Sequence, residues 1–120
     1  MSDANNTDET QRIARRYFNA WTRRDAVTTA SCLAEDFRFG TGPMEVSGRD
    51  AFLNANAFPK DAVTKMVAEA YQDGIGFQLY DSTNHGHTVR IAEQLTVRDG
   101  LIRSSQFVTD MAALQAFMKA

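Results

Sequence analysis

A chain of 120 residues with 43% hydrophobic side chains and a net charge of −2 reads as one domain with enough apolar material for a packed core. A pI near 5.6 gives no general attraction to nucleic acid or to an acidic membrane surface. One cysteine, Cys32, excludes an intrachain disulfide and a paired-cysteine metal knuckle, and fits a reducing, cytoplasmic compartment. No run of about 18 apolar residues is present, so no membrane span is expected.

The polar start, MSDANNTDETQ, lacks the apolar stretch of a signal peptide. Residues 1–7 are expected to form a disordered lead-in, followed by a single domain over residues 8–120. The first helix is predicted to start at a cap on Asp8, with Gln11 three residues on. Ile13, Tyr17 and Trp21 recur every four residues beside Ala14 and Phe18, which makes one apolar stripe. Arg12, Arg15, Arg16, Arg23 and Arg24 take the other side, as a solvated face or, alternatively, a basic docking patch.

Asp25 can cap a second helix through Ala34, with Val27, Ala30 and Leu33 inward. Phe37 and Phe39 suggest a short strand that Gly40, Gly42 and Pro43 break. Ser47 is expected to cap a third helix with Phe52, Leu53 and Ala57 as contacts, ended by Pro59. From Thr64 the chain turns to strands, with a turn at Asp73-Gly74 and a loop over residues 84–86. The segment from His87 to Asp110 reads as a long hairpin about Asp99-Gly100, because a type I′ turn needs positive φ at both central residues.

A two-residue loop there places Arg98 opposite Leu101, Val97 opposite Ile102, Glu93 opposite Gln106 and Ile91 opposite Val108. One face then holds Val89, Ile91, Glu93, Leu95, Val97, Ile102, Ser104, Gln106 and Val108. A carboxylate in the middle of an apolar face is expensive unless paired or protonated, which marks Glu93 as a candidate site residue. The other face holds Ala92, Leu101 and Phe107 among polar residues and arginines. A last helix follows, capped by Asp110 or Thr109, with Met111, Leu114, Phe117 and Met118 apolar. Helices followed by antiparallel strands mean α+β, with a sheet covering the N-terminal helices on one face.

Four segments together resemble the nuclear-transport-factor-2-like superfamily: RRYFNAWTRRD, CLAEDFRF, SGRDAF and EQLTVRDGLIRSSQF. The superfamily includes SnoaL-like polyketide cyclases, ketosteroid isomerases and limonene epoxide hydrolases. The resemblance implies a cone, in which a curved antiparallel sheet of the cystatin-like kind wraps around helices and leaves an apolar pocket at one end. It also implies a homodimer through the outer face of the sheet. Beside a ketosteroid isomerase, Tyr17 falls where the family has an oxyanion-binding Tyr, and Glu93 where it has a protonated Asp. The position of the isomerase base falls at about Thr41, which is not a base.

The site is therefore expected to have Glu93 and Tyr17 as catalytic candidates. Trp21, Phe39, Phe52, Phe58 and Phe77 would supply floor and walls, with Gln106 and Asp110 as further polar contacts. Each has a structural alternative. Glu93 is a satisfied buried carboxyl, Tyr17 and Trp21 are plain core, Gln106 is a structural partner of Glu93, and Asp110 is a helix cap. His85 and His87 in NHGH lack a third ligand at useful spacing and sit at a turn, so no metal is expected. No phosphate loop is present, since GTGP lacks the Lys and the following helix.

The resulting expectation is a cofactor-independent domain that binds a hydrophobic small molecule, without nucleic-acid or membrane partners. It acts as an acid–base isomerase, cyclase or epoxide-hydrolase-like enzyme, or alternatively as a non-catalytic ligand-binding or dimerisation module. A second ionisable group within reach of Glu93 favours catalysis, and a fixed neutralising partner favours binding or structure.

Overall fold

The computed structural model describes residues 3–55 and 58–120. In chain order the elements are α1 (Asp3–Thr22), α2 (Ala26–Cys32), β1 (Leu33–Thr41), β2 (Met44–Ser47), α3 (Arg49–Ala55), β3 (Val63–Gln72), β4 (Ile75–Asn84), β5 (His87–Arg98), β6 (Leu101–Thr109) and α4 (Met111–Lys119). The strands form one open sheet in the order β2-β1-β6-β5-β4-β3. All neighbours are antiparallel except β1 and β6, which run parallel. Register shifts interrupt β1, β3 and the β5–β6 pair, and extra residues of this kind bend and twist a sheet around what lies on its concave side.

The concave side holds α1. Its stripe buries Ile13, Ala14 and Tyr17 against Leu33, Phe37, Leu95, Val97 and Ile102. Phe18 joins a second cluster with Tyr80, Val89, Ile91 and Phe117 of α4. The two clusters share the partly buried Trp21. Burying aliphatic and aromatic side chains of this size contributes about 1.5–3 kcal/mol each, so α1 is held mainly by its stripe.

Several expectations need correction. α1 begins at Asp3, more than one turn before Asp8, and so includes most of the expected lead-in. The turn after β3 explains part of this: the Asp73 and Gly74 N–H groups donate to the hydroxyls of Thr7 and Thr10. These bonds tie the first turns of α1 to the sheet.

α2 ends at Cys32, and Leu33 and Ala34 open β1 as buried strand residues. Gly42 and Pro43 do not simply break β1. With Gly42 at φ 57°, they turn the chain back into β2, and Thr41 pairs with Met44. Ser47 is the last residue of β2, not a helix cap, and Gly48 supplies the first acceptor of α3 to the Phe52 N–H. The expected contact of Ala57 lies outside the described residues.

The main hairpin turn is as expected, with Asp99 at φ 55° and Gly100 at φ 78°. Arg98 opposes Leu101 and Val97 opposes Ile102. The register then slips by one: Thr96 opposes Ser104, Leu95 opposes Ser105, and Glu93 opposes Phe107. Arg103 is the extra residue, and its guanidinium lies 3.6 Å from the carboxylates of both Asp36 and Asp99. A one-residue slip exchanges the two faces of a strand. Ser105 and Phe107 therefore turn into the cone, while Gln106 and Val108 turn out.

Candidate functional site

Between α1, α3, α4 and the concave face of the sheet lies a cavity of about 270 Å³. Tyr17 and Trp21 reach it from α1, Phe39 and Val46 from β1 and β2, and Phe52 and Ala55 from α3. Phe58 follows α3. Tyr80, Ile91, Glu93 and Phe107 come from β4, β5 and β6, and Leu114 and Met118 from α4. The rings are mutually packed: Trp21 meets Phe58 edge-on at 5.4 Å, Phe37 meets Phe52 edge-on at 5.1 Å, and Phe39 stacks on Phe107 at 5.2 Å. Such contacts fix ring orientation and add about 0.5–1.5 kcal/mol per pair beyond area burial. Arg24, at φ 62° in the turn after α1, donates to the Pro59 carbonyl and lies 5.6 Å over the Phe58 ring.

Glu93 is the carboxyl of this wall, and it is 2% exposed. Three hydroxyls donate to it. Tyr17 from α1 is 3.0 Å and Ser105 from β6 is 2.5 Å from Oε2, while Tyr80 from β4 is 2.8 Å from Oε1. Among the described residues no Lys, Arg or His forms an ion pair with Glu93. Burial raises its pKa above the ordinary carboxylate value, and the three hydrogen bonds oppose that rise without cancelling it. Burial, followed by the charge of Glu93, pushes the Tyr17 and Tyr80 hydroxyls well above the usual phenol value. Both tyrosines are therefore neutral donors across the ordinary pH range.

The structure brings six of the expected site residues to one cavity: Tyr17, Trp21, Phe39, Phe52, Phe58 and Glu93. Three expected ones are elsewhere. Gln106 is exposed on the convex face opposite Gln94, because the Arg103 bulge reverses its phase. Phe77 is 51% exposed on the same convex face, since β4 turns Gln78 and Tyr80 inward and their neighbours outward. Asp110 is exposed and caps α4, accepting from the Ala112 and Ala113 N–H groups at 2.9 and 3.1 Å.

Tyr80, Ser105 and Phe107 are the residues around Glu93 that sequence reasoning missed, and Val46, Ala55, Ile91, Leu114 and Met118 are lining residues it did not assign to the site. Tyr80 had a signal, since pairing β4 with β5 aligns it with Ile91 on the inner face. Ser105 and Phe107 had none, because nothing local announces the bulge. Thr41 pairs with Met44 at the end of β1 and is not part of the cavity wall. His85 lies at a turn, exposed, 3.5 Å from Asp61. Among the described residues no three His, Cys, Asp or Glu side chains converge as a metal site would require. Burial raises the Cys32 thiol above its ordinary pKa, so it is a poor nucleophile.

A larger depression, about 660 Å³, lies on the solvent side of α1 against α2, where Arg12, Arg15, Arg16 and Arg23 meet Asp8 and Asp25. It is open and polar, and Arg15 is engaged with Glu69 at 2.8 Å. The cone cavity is the better candidate because it joins apolar enclosure to a buried ionisable cluster, the combination expected of a ligand site.

The profile of the SnoaL-like domain matches residues 14–105. A search of curated protein sequences returns no match. Among solved structures, a proposed ketosteroid isomerase from Kribbella flavida is similar with a TM-score of 0.83 at 23% identity, over 87% of this chain and 79% of that one. A proposed SnoaL-like polyketide cyclase from Jannaschia is similar with a TM-score of 0.81 at 14% identity, over 95% of this chain and 94% of the other. A nuclear-transport-factor-2-like protein of unknown function from Cytophaga hutchinsonii gives 0.78 at 17% identity, over 88% of this chain and 94% of that one. At these identities the likeness concerns the fold.

Proposed function

The chain belongs to the SnoaL-like domain family, and from that premise we propose that its cone binds a largely apolar small molecule, with the Glu93 cluster as the polar end of the pocket. The observation that supports this is the wall itself: aromatic and aliphatic side chains from every layer of the fold converge on one buried carboxyl. A core filled for stability alone would have no need of a cavity. Trp21 is the only tryptophan and lines that cavity, so its emission reports occupancy. Titration with cyclic apolar compounds should quench or shift Trp21 emission saturably. A Leu114→Phe variant, which narrows the cavity from α4 and leaves Trp21 as the single reporter, should weaken the response. No saturable change with any of these compounds would sink the reading.

An acid–base enzyme in the same pocket is the second reading. It is favoured by one observation, that Glu93 has a raised pKa and borders the cavity. Against it, among the described residues no second carboxyl, His or Lys lines the cavity, and all three hydroxyls on Glu93 are engaged with it. Solvent deuterium exchange into cyclic ketones, lost in Glu93→Gln, would establish the enzyme. Exchange at the uncatalysed rate would leave the binding domain. The single buried cysteine fits a reducing, cytoplasmic setting for either reading. Among the described residues no helix is long and apolar enough to cross a membrane.

The partner we propose for the convex face is a second copy of the chain. β4 turns Gln78, Ser82 and Asn84 inward and leaves Ile75 and Phe77 43% and 51% exposed. Cross-strand pairing extends the apolar row through Ala68, Leu79, Ala92 and Val108. Exposed apolar surface laid out in contiguous rows marks a contact face.

A further inference from the structure

The polarity of the ligand can be read from where the hydroxyl hydrogens go. This step rests on the binding reading above. An ionised carboxylate only accepts, with about four lone-pair sites on its two oxygens. Tyr17 and Ser105 fill two sites on Oε2, and Tyr80 fills one on Oε1. Each hydroxyl has one hydrogen, and each is spent on Glu93. What remains open at this end of the cavity is acceptor capacity: the second lone pair of Oε1 and the phenolic oxygens of Tyr17 and Tyr80.

Among the described residues, the rest of the wall places no side-chain donor beside the Glu93 oxygens. The other described lining groups are aliphatic, aromatic or thioether, apart from the Trp21 indole, whose buried N–H has no partner and makes no hydrogen bond to Glu93. A carbonyl oxygen entering here would face lone pairs and lose its own water. A hydroxyl or ammonium group would give its hydrogen to Oε1 in a dry site, where a charge-assisted hydrogen bond is strongest.

We propose that the pocket selects apolar ligands that present a hydrogen-bond donor, a hydroxyl or an amine, to Glu93, and that it disfavours the matching ketone. The carbon skeleton supplies affinity through the aromatic wall. The donor supplies orientation, with the polar end at Glu93 and the skeleton between Phe39, Phe52 and Leu114.

The test uses one skeleton in three forms: cyclooctanol, cyclooctylamine and cyclooctanone, titrated against Trp21 emission on the alkaline side of neutrality. The alcohol and the amine should bind about tenfold or more tightly than the ketone, the size expected for one hydrogen bond to a charged group. An amine that binds well beside an alcohol no better than the ketone would overturn the donor rule, since charge alone would then set the preference. Glu93→Gln turns one acceptor atom into a donor and should narrow or reverse the preference. Should that variant not fold, Tyr80→Phe removes the Tyr80 donor from Oε1 and should widen the preference for the alcohol. A ketone that binds as tightly as both donors, or a preference that neither variant moves, overturns this inference and leaves the pocket reading intact. Failure of all three compounds to bind overturns the pocket reading, and this inference with it.

Discussion

Tyr17 and Tyr80 hold opposite oxygens of one carboxylate, the first at 3.0 Å from Glu93 Oε2 and the second at 2.8 Å from Oε1. They come from α1 and β4, so Glu93 on β5 is clamped between the helix inside the cone and the neighbouring strand of the sheet. Ser105 closes the third side. The clamp ties the cavity's carboxyl to fold stability, because Tyr17, which donates to it, also pins α1 to the sheet.

Removing the carboxyl should therefore destabilise the domain even though a buried carboxylate is costly by itself. Glu93→Leu leaves the Tyr17, Tyr80 and Ser105 hydroxyls buried without an acceptor, at about 1–3 kcal/mol for each one left unsatisfied. Partial relaxation brings the expected loss to about 2–5 kcal/mol. Glu93→Gln keeps an acceptor oxygen and should lose about 2 kcal/mol or less. Urea unfolding of both variants checks the order, and a Leu variant more stable than the wild type would contradict the clamp.

The pH dependence has a definite sign. A raised carboxyl pKa in the folded state means that the fold binds the Glu93 proton more tightly than the unfolded chain does. That stabilisation is complete below the ordinary carboxylate pKa and is lost as pH rises through the raised folded value. Glu69, Asp25 and Asp81 have lowered pKa values through hydrogen bonds to Arg15, Thr28 and Arg90, and act in the opposite sense. The difference between wild type and Glu93→Gln isolates the Glu93 part. Stability of the wild type relative to Glu93→Gln should fall from about pH 4 upward. A flat difference, or one that grows, would mean that Glu93 is not a desolvated acid.

Gly40 should not tolerate a side chain. A Cβ there would collide with the Met44 carbonyl and lie 3.3 Å from the Glu45 Cα, both backbone atoms of the facing strand. Gly40→Ala should cost about 1–3 kcal/mol, as overpacking does. It should also weaken ligand binding, because Phe39 and Val46 of the same hairpin line the cavity. Thermal unfolding alongside the Trp21 titration measures both effects.

On the convex face, Val108 is 73% exposed and Phe77 is 51% exposed. A Phe77→Glu, Val108→Glu double variant should sediment as a monomer at concentrations where the wild type is a dimer. It should also keep its Trp21 response, since neither residue touches the cavity. A wild type that is monomeric at high micromolar concentration would remove the proposal.

Asp110 should behave as a cap and nothing more. Asp110→Ala removes the acceptor for two N–H groups at the start of α4 and should cost about 0.5–2 kcal/mol, with the ratio of alcohol to ketone affinity unchanged. A changed ratio would bring Asp110 back into the site.

The sequence by itself determined what depends on local period and turn chemistry. The stripe of Ile13, Tyr17 and Trp21 places α1 inside the cone, and Asp99-Gly100 sets the hairpin turn. Counting back from that turn in twos along β5 reaches Glu93 on the buried face, because β5 is regular from the turn to the site. Only the tertiary structure decided the other half of the clamp. One extra residue at Arg103 reverses β6, bringing Ser105 and Phe107 to Glu93 and sending Gln106 outward. A period of two has no memory of such a slip. β4 inverts the usual pattern for a different reason. Gln78 and Asn84 face inward because they donate to the carbonyls of Ala14 and Phe117 on the packed helices. Ser82 faces inward because it shares a hydrogen bond with Thr64 across the sheet. Phe77 is left outside. Where a strand must answer polar groups on a helix laid across it, side-chain hydropathy alone gives the wrong face, and only the packed partner supplies the sign.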